Sequence, residues 1–448
     1  MALMGWRALV LGALACMLAG CAAPPSQPPA SSTSASPTTA SLTSASPTSA
    51  SSTGAPAGAS PIKLGVLDDV TGPSANQGVL MRIDVDLVAD EINSSGGING
   101  HPLQVVYADP RNDPAQAVQL ATQLVQQDGV DVLAGTILSP ECQGVSALAA
   151  KLQIVYLPLL ACATDQLTAK DCSRYTFRVY PVGNQTADPA AQYEVQHVGP
   201  NWGMIYPDYA LGQSQVASNE AALGRAGGHL GVKIAVPLNE PNVTPYVTKI
   251  PTDGSISGLI VGQAGTDLAR VVSVMQQFGI TSKLQLVEGL GKESFSGVYP
   301  DGLNGALING FRVSDGIPGN QDDLTYVQRF KAWAEKDADL SGPIGGVDKA
   351  TPGPSNGYSG FVSMNALKLA MRSASFSGRA DTDKLISALE SLHIPQGPDA
   401  PAGPVIMNRD DHQGRMTAYL LRINGQTEDI VQTFPPEQLP QIGTCKVA

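Results

Sequence analysis

Charge, aromatic rings and long apolar runs are all scarce in this chain. Of its 448 residues 15% are charged and 5% aromatic, and the formal net charge is −12. An acidic balance repels a phosphate backbone, which excludes nucleic acid as a partner. With no long basic stretch and few rings, neither a polybasic membrane patch nor a base-stacking platform can be assembled. The five histidines, at 101, 197, 229, 393 and 412, form no HExxH, no GxxxxGK[ST] phosphate loop occurs, and no CxxC or Cys/His cluster has ligand spacing. The sequence therefore predicts no enzyme, no cofactor and no metal. No apolar run reaches the length that a membrane-spanning helix requires.

The longest apolar run, Ala8–Leu18 after Arg7, has the length of a secretory-signal core. It ends at Leu18-Ala19-Gly20-Cys21, which looks like a bacterial lipobox: two small residues open the backbone to a peptidase, and a thiol accepts the lipid. Residues 1–20 are expected to be a lipoprotein signal and Cys21 the lipidated residue, anchored on the extracytoplasmic face of the membrane through lipid alone. Residues 22–61 hold only Ala, Pro, Ser, Thr and Gly apart from Gln27 and Leu42. Such a segment has no apolar surface to offset the entropy of ordering, so 21–61 reads as a disordered tether. Fully stretched it would reach on the order of 100 Å, at about 3 Å per residue.

From residue 62 strands and helices alternate. Ile62–Leu67 reads as a buried strand, and Val79, Ile83, Leu87, Val88 and Ile92 share one face of a helix ending at Ser94-Ser95-Gly96-Gly97. A strand at 103–107 leads to Asp113-Pro114, an N-cap with proline at the first helical position. A strand at 131–134, a helix after Pro140 and a strand at 153–157 repeat the unit. A second run follows, with helices at 184–198, 211–226 and 266–278 and strands at 202–206, 232–236, 259–261 and 284–287. Helices at 322–337, 358–374 and 381–391 and strands at 404–407 and 416–423 come last, and the Gly/Pro-rich stretch 338–357 reads as a surface insertion. The fold class is α/β, with two doubly wound parallel-sheet lobes joined by three crossovers; ligands enter such sheets at the C-terminal strand ends. The first lobe is expected over 62–180 with about 312–405 returning to it, the second over 181–311 with about 406–448 returning.

Several strings in this frame carry a resemblance. They are Ile62-Lys63-Leu64-Gly65-Val66-Leu67 before Thr71-Gly72-Pro73, Asp90-Glu91-Ile92-Asn93 with Gly96-Gly97-Ile98-Asn99-Gly100, Asp113-Pro114 with Ala117-Val118, Phe177-Arg178, Asp208-Tyr209-Ala210 with Gly212, and Pro245–Ile250. In this order they resemble type I periplasmic binding proteins of the leucine/isoleucine/valine-binding kind. The resemblance implies a monomeric receptor that captures a small polar solute, an amino acid first of all, between its lobes and delivers it to ABC permease subunits. A sensory receptor on the same fold is the alternative, with a secreted hydrolase behind it.

The resemblance also implies a ligand-binding set. Ser139, between a strand and a helix, sits where the family's carboxylate-binding serine would; Ser-Pro-Glu is equally a good helix N-cap. The long loop after Pro158 would flank the ligand through Leu160, Ala161 and Cys162. Tyr209 matches a residue that covers the ligand in relatives, and Tyr180 lies near the crossover. An ammonium group needs a carboxylate, for which Glu288 is best placed and Asp267 the substitute, although acids in a first helical turn often only compensate the dipole. Cys142, Cys162, Cys172 and Cys445 would enter an oxidising compartment. A Cys162–Cys172 disulfide, pinning the ligand loop, is the favoured pairing and Cys142–Cys162 its rival.

Overall fold

The computed structural model describes residues 59–441, except 161, 163–164, 182, 337–341, 347–348 and 355, together with 443 and 447. The leader, Cys21, the tether to residue 58, Ala161 and Cys445 lie outside the described residues. Everything described here belongs to one unit of the chain, Thr53–Ala448.

Two four-stranded parallel sheets organise it. The first runs in the order β2-β1-β3-β4, from β1 (Ile62–Leu67), β2 (Leu103–Ala108), β3 (Val132–Gly135) and β4 (Tyr156–Pro158). The second repeats the order as β6-β5-β7-β8, from β5 (Asn201–Pro207), β6 (His229–Val236), β7 (Gly258–Val261) and β8 (Gln285–Glu288). Strands β1, β3 and β7 are nearly continuous apolar runs, as expected of sheets covered on both faces. The intervening helices are α1 (Ala75–Ser94), α2 (Pro114–Gln126) and α3 (Ser139–Leu152), then α4 (Gly183–His197), α5 (Ala210–Arg225), the single turn α6 (Thr244–Val247) and α7 (Gly265–Gln277). Asp113 caps α2 as its sequence requires, its Oδ1 accepting from the amides of Ala115 and Gln116.

Later elements return to both sheets. Helices α8 (Gln321–Ala334), α9 (Asn356–Ser373) and α10 (Thr382–Glu390) gather on the first half. Buried Asp84 of α1 accepts from Tyr326 Oη of α8 at 2.9 Å and from Phe361 N of α9 at 2.9 Å, locking the three helices together. Two small antiparallel sheets complete the chain. One pairs β10 (His393–Ile394), β11 (Val405–Met407) and β12 (Gly414–Met416); the other runs β14-β13-β9, from β9 (Leu307–Gly310), β13 (Ala418–Asn424) and β14 (Thr427–Phe434).

Three segments pass side by side between the halves. Arg178 N donates to His412 O, Gly414 N donates to Arg178 O at 2.7 Å, and Tyr180 meets the ring of Phe311 edge-on at 4.7 Å. Phe177 stacks on His412 with centroids 3.8 Å apart. Gly414 is obligatory here, because a Cβ would lie 2.0 Å from Val179 O.

Three expectations need correction. Ser139 is the first helical residue of α3 rather than its cap; the extended residue Leu138 occupies the cap position and Glu141 reaches back to its amide. The stretch after 338 is not a surface insertion throughout, since Thr351–Pro354 is buried: Gly353 O accepts from Arg312 Nη1 at 2.9 Å and Pro354 O from Phe311 N at 2.6 Å. Cys162 forms its disulfide with Cys142, not with Cys172. Folding brings the first turn of α3 against the loop after β4, and this tertiary proximity outweighs closeness in sequence. Strands β9 and β14 escaped the sequence reading, the first for its four-residue length and the second because an exposed edge strand such as TEDIVQTF shows little apolar alternation.

Candidate solute-binding site

Both parallel sheets aim their C-terminal strand ends at one cavity of about 140 Å³. Four βα connections bring a helix start to it: Ser74 and Gln77 at α1, Leu138 and Ser139 at α3, Tyr209 and Leu211 at α5, and Ala264, Thr266 and Asp267 at α7. Unpaired amides and aligned peptide dipoles make such helix starts favourable surroundings for an anion. Among the described residues no Lys, Arg or His lines the cavity, so an anionic group here must be met by amides and hydroxyls. Ile137, Leu238, Tyr180 and Phe311 supply the apolar walls.

Five expected residues come together: Ser139, Tyr180, Tyr209, Asp267 and Glu288 all line the cavity. Leu160 and Cys162 do not. Each is 1% exposed and packed in the core, because the disulfide to Cys142 and the hydrogen bond from Arg178 Nη1 to Cys162 O, at 2.6 Å, turn that loop away. Asp267 is already engaged: Oδ2 accepts from Asn239 N at 2.9 Å and Oδ1 pairs with Arg270. Gln77, Gln215, Gln263 and Asn309 also line the cavity. For Gln77 and Gln263 the only sequence signal was position, at a helix start or just beyond a strand; Gln215 lies inside α5 and Asn309 on β9, where no such signal exists.

Glu288 differs from Asp267 in having no cation beside it among the described residues. It ends β8 with a positive φ of 95°, unusual for a residue with a Cβ. Its carbonyl accepts from Leu290 N at 2.6 Å across a three-residue turn. A carboxylate oxygen accepts from Asn219 Nδ2 at 3.2 Å. Burial pushes its carboxyl up to about 7, with the Asn219 hydrogen bond opposing. Glu194 of α4, buried nearby, is pushed up to about 8 by burial and then by the charge of Glu288. A positive φ at a buried acid with no counter-charge among the described residues makes Glu288 a candidate ligand contact.

Acids elsewhere behave alike, and the pH dependence of stability follows. Burial raises Asp68 to about 7 against the pull of Arg82, and raises Asp69 to about 6 and Glu141 to about 8. In the unfolded chain these groups titrate at ordinary values, so over the intervening range the folded state binds more protons and stability falls as pH rises. The midpoint of thermal unfolding should therefore be highest near pH 5 and decline steadily through pH 8. A midpoint that rises over that interval would contradict these assignments.

Comparison with known proteins now places the chain. The family model described as "Periplasmic binding protein" matches residues 61–428. The chain belongs to this family. The binding protein is 29% identical over 198 residues to Leu/Ile/Val-binding protein homolog 6 of Brucella abortus, an alignment covering 44% of this chain and 50% of the relative. It thus spans about half the length of the first curated relatives it matches. Among solved structures, the ABC transporter substrate-binding protein from Sphaerobacter thermophilus superposes with a TM-score of 0.71 at 21% identity, covering 84% of this chain and 98% of that one. A solute-binding protein from Rhodopseudomonas palustris BisB5, in complex with 3,4-dihydroxybenzoic acid, gives 0.71 at 18% identity, with 84% and 98% covered. Both share the fold of this binding protein. No helix among its described residues is long and apolar enough to cross a membrane. The string Gly353-Pro354-Ser355-Asn356-Gly357 has nucleophile-elbow spacing, but it follows no strand, which an elbow requires; Ser355 lies outside the described residues.

Proposed function

We propose that this protein is the extracytoplasmic solute receptor of an ABC importer and that its solute is a small amino acid. The observation that carries the reading is that one cavity is lined by groups suited to both charges of an amino acid. Helix starts and Ser139 in its lining favour a carboxylate, while Glu288, buried and with no cation beside it among the described residues, calls for an ammonium group. The chain's likeness to a Leu/Ile/Val-binding protein homologue supports the same reading. In this reading the halves built on the two parallel sheets are lobes, and the three adjacent segments between them are the hinge. Solute contacts made by both lobes favour the closed form, which docks on the permease. Lipidated Cys21 and the tether would hold the monomeric receptor at the membrane.

A second reading is an aromatic monocarboxylate. Tyr180 and Phe311 line a cavity close in size to one that admits a benzene ring, about 150 Å³, and a structural neighbour holds 3,4-dihydroxybenzoic acid. Titration calorimetry of L-leucine, L-valine, L-alanine, L-threonine and 4-hydroxybenzoate separates the two. An amino acid should bind, and Ser139→Ala should weaken it by roughly 1 kcal/mol or more, as loss of a hydrogen bond to a charged group does. Binding of 4-hydroxybenzoate alone would select the second reading, and an unchanged affinity would remove Ser139 from the site.

A further inference from the structure

Beneath the cavity wall lies a pair of acids that the solute reading does not use. Asp69, just past β1, and Glu141, in the first turn of α3, are both completely buried. Asp69 Oδ1 accepts from Asn112 N at 2.7 Å. Glu141 Oε2 accepts from Leu138 N at 3.0 Å and Ile137 N at 3.4 Å, so it fixes the turn that carries Ser139 into the cavity. The remaining oxygens, Asp69 Oδ2 and Glu141 Oε1, meet no donor from any other residue, and the two carboxyl groups lie within hydrogen-bonding reach of each other.

Among the described residues no cation reaches the pair. The charged and titratable groups facing it are Asp68 and Arg82, which pair with each other, Asp109 beyond β2, Tyr156 of β4 and Tyr209 at the start of α5. Asp109 adds negative charge, while both tyrosines are held in their neutral form by burial. An ionised carboxylate accepts hydrogen bonds and donates none, so two of them in contact need a proton between them.

We propose that Asp69 and Glu141 hold one proton in common and act as a positioning pair for the Ile137–Ser139 turn, so that keeping this proton is linked to binding of an anionic group in the cavity. With the proton in place the pair carries one negative charge and ties the end of β1 to the start of α3. Its loss leaves two charges behind the helix start where a solute carboxylate would sit, which repels the carboxylate and loosens the turn. The link to solute rests on the reading above; the shared proton does not.

The test is thermal unfolding of the full chain between pH 5.5 and 9 for wild type, Glu141→Gln, Asp69→Asn and the double variant. A glutamine at 141 can donate to Asp69 and still accept from Leu138, and so mimics the protonated pair. The pair's contribution falls as pH rises through its elevated titration range, because the folded state keeps a proton that the unfolded chain has released. Wild type should therefore lose about 2 °C or more over this range beyond what either single variant loses, and the double variant should be no flatter than the singles. Infrared difference spectra should show a protonated-carboxyl band at neutral pH that either substitution removes. Parallel unfolding curves for wild type and both single variants, or absence of the band, would overturn the proposal. A receptor that binds no amino acid but shows the flattened curves would instead fault the solute reading alone.

Discussion

Glu288→Gln is expected to lower affinity for an amino acid by roughly 2–5 kcal/mol, the range for breaking a buried, hydrogen-bonded charge pair. That corresponds to a loss of about thirtyfold to several thousandfold in the dissociation constant. The empty protein should respond in the opposite direction. With no cation beside it, ionised Glu288 is disfavoured by burial, so its carboxyl is raised to about 7 and stability drains away as pH climbs through that value. Glutamine keeps the shape, can still hydrogen-bond Asn219, and carries no charge to desolvate. The variant should therefore unfold at the same temperature as wild type near pH 4 and at a higher one from about pH 5 upward, by a margin that grows to about pH 7 and holds at pH 8, while calorimetry shows binding largely lost. Such a split between stability and affinity cannot arise from misfolding. If amino-acid affinity survived the change, the ammonium assignment would be wrong, and retention of 4-hydroxybenzoate binding in the variant would favour the aromatic reading.

Removing the carboxylate of Asp323 should be the most damaging single change to the fold. Arg312 and Asp323 form a forked ion pair, Nε to Oδ1 at 3.1 Å and Nη2 to Oδ2 at 3.2 Å, with neither side chain exposed. Arg312 Nη1 donates to Ser314 O and Gly353 O, and Asp323 Oδ2 also accepts from Ile317 N at 2.7 Å. These bonds hold the segment directly after Phe311, which lines the cavity. Asp323→Ala leaves a guanidinium buried without its counter-charge and is expected to cost about 3–5 kcal/mol in chemical denaturation. Replacing both partners, as Arg312→Met with Asp323→Leu, should recover much of that loss, because the penalty comes from the orphaned charge more than from the missing attraction. A mild cost for the single variant and a larger one for the pair would refute this account.

Much of the site was legible before the fold was known. In a doubly wound sheet the chain order of strand, turn and helix determines which residues stand at the C-terminal strand ends; among these the family resemblance pointed to Ser139 and Tyr209, and position at a strand end or helix start to Asp267 and Glu288, and all four line the cavity. What each does there could not be read in this way. Asp267 and Glu288 looked alike as acids near strand ends, but Arg270 neutralises the first and no described residue neutralises the second. Leu160 and Cys162 stood on a plausible ligand loop, yet the bond from Cys162 to Cys142 draws that loop into the core. Gln215 and Asn219 reach the site from the middle of α5, one lining the cavity and the other bonded to Glu288, a contribution that no local pattern marks.

The sequence alone determined the alternation of strands and helices, the parallel sheets and the end of them that receives a ligand, because these follow from apolar periodicity, capping and chain direction, all local or one-dimensional properties. Only the tertiary structure decided which cysteine meets Cys142, which acid lacks a cation, and that Asp69 and Glu141 touch. Those outcomes depend on contacts between residues far apart in the chain, where burial and the nearest charge set the chemistry, and neither quantity is encoded in the order of neighbouring residues.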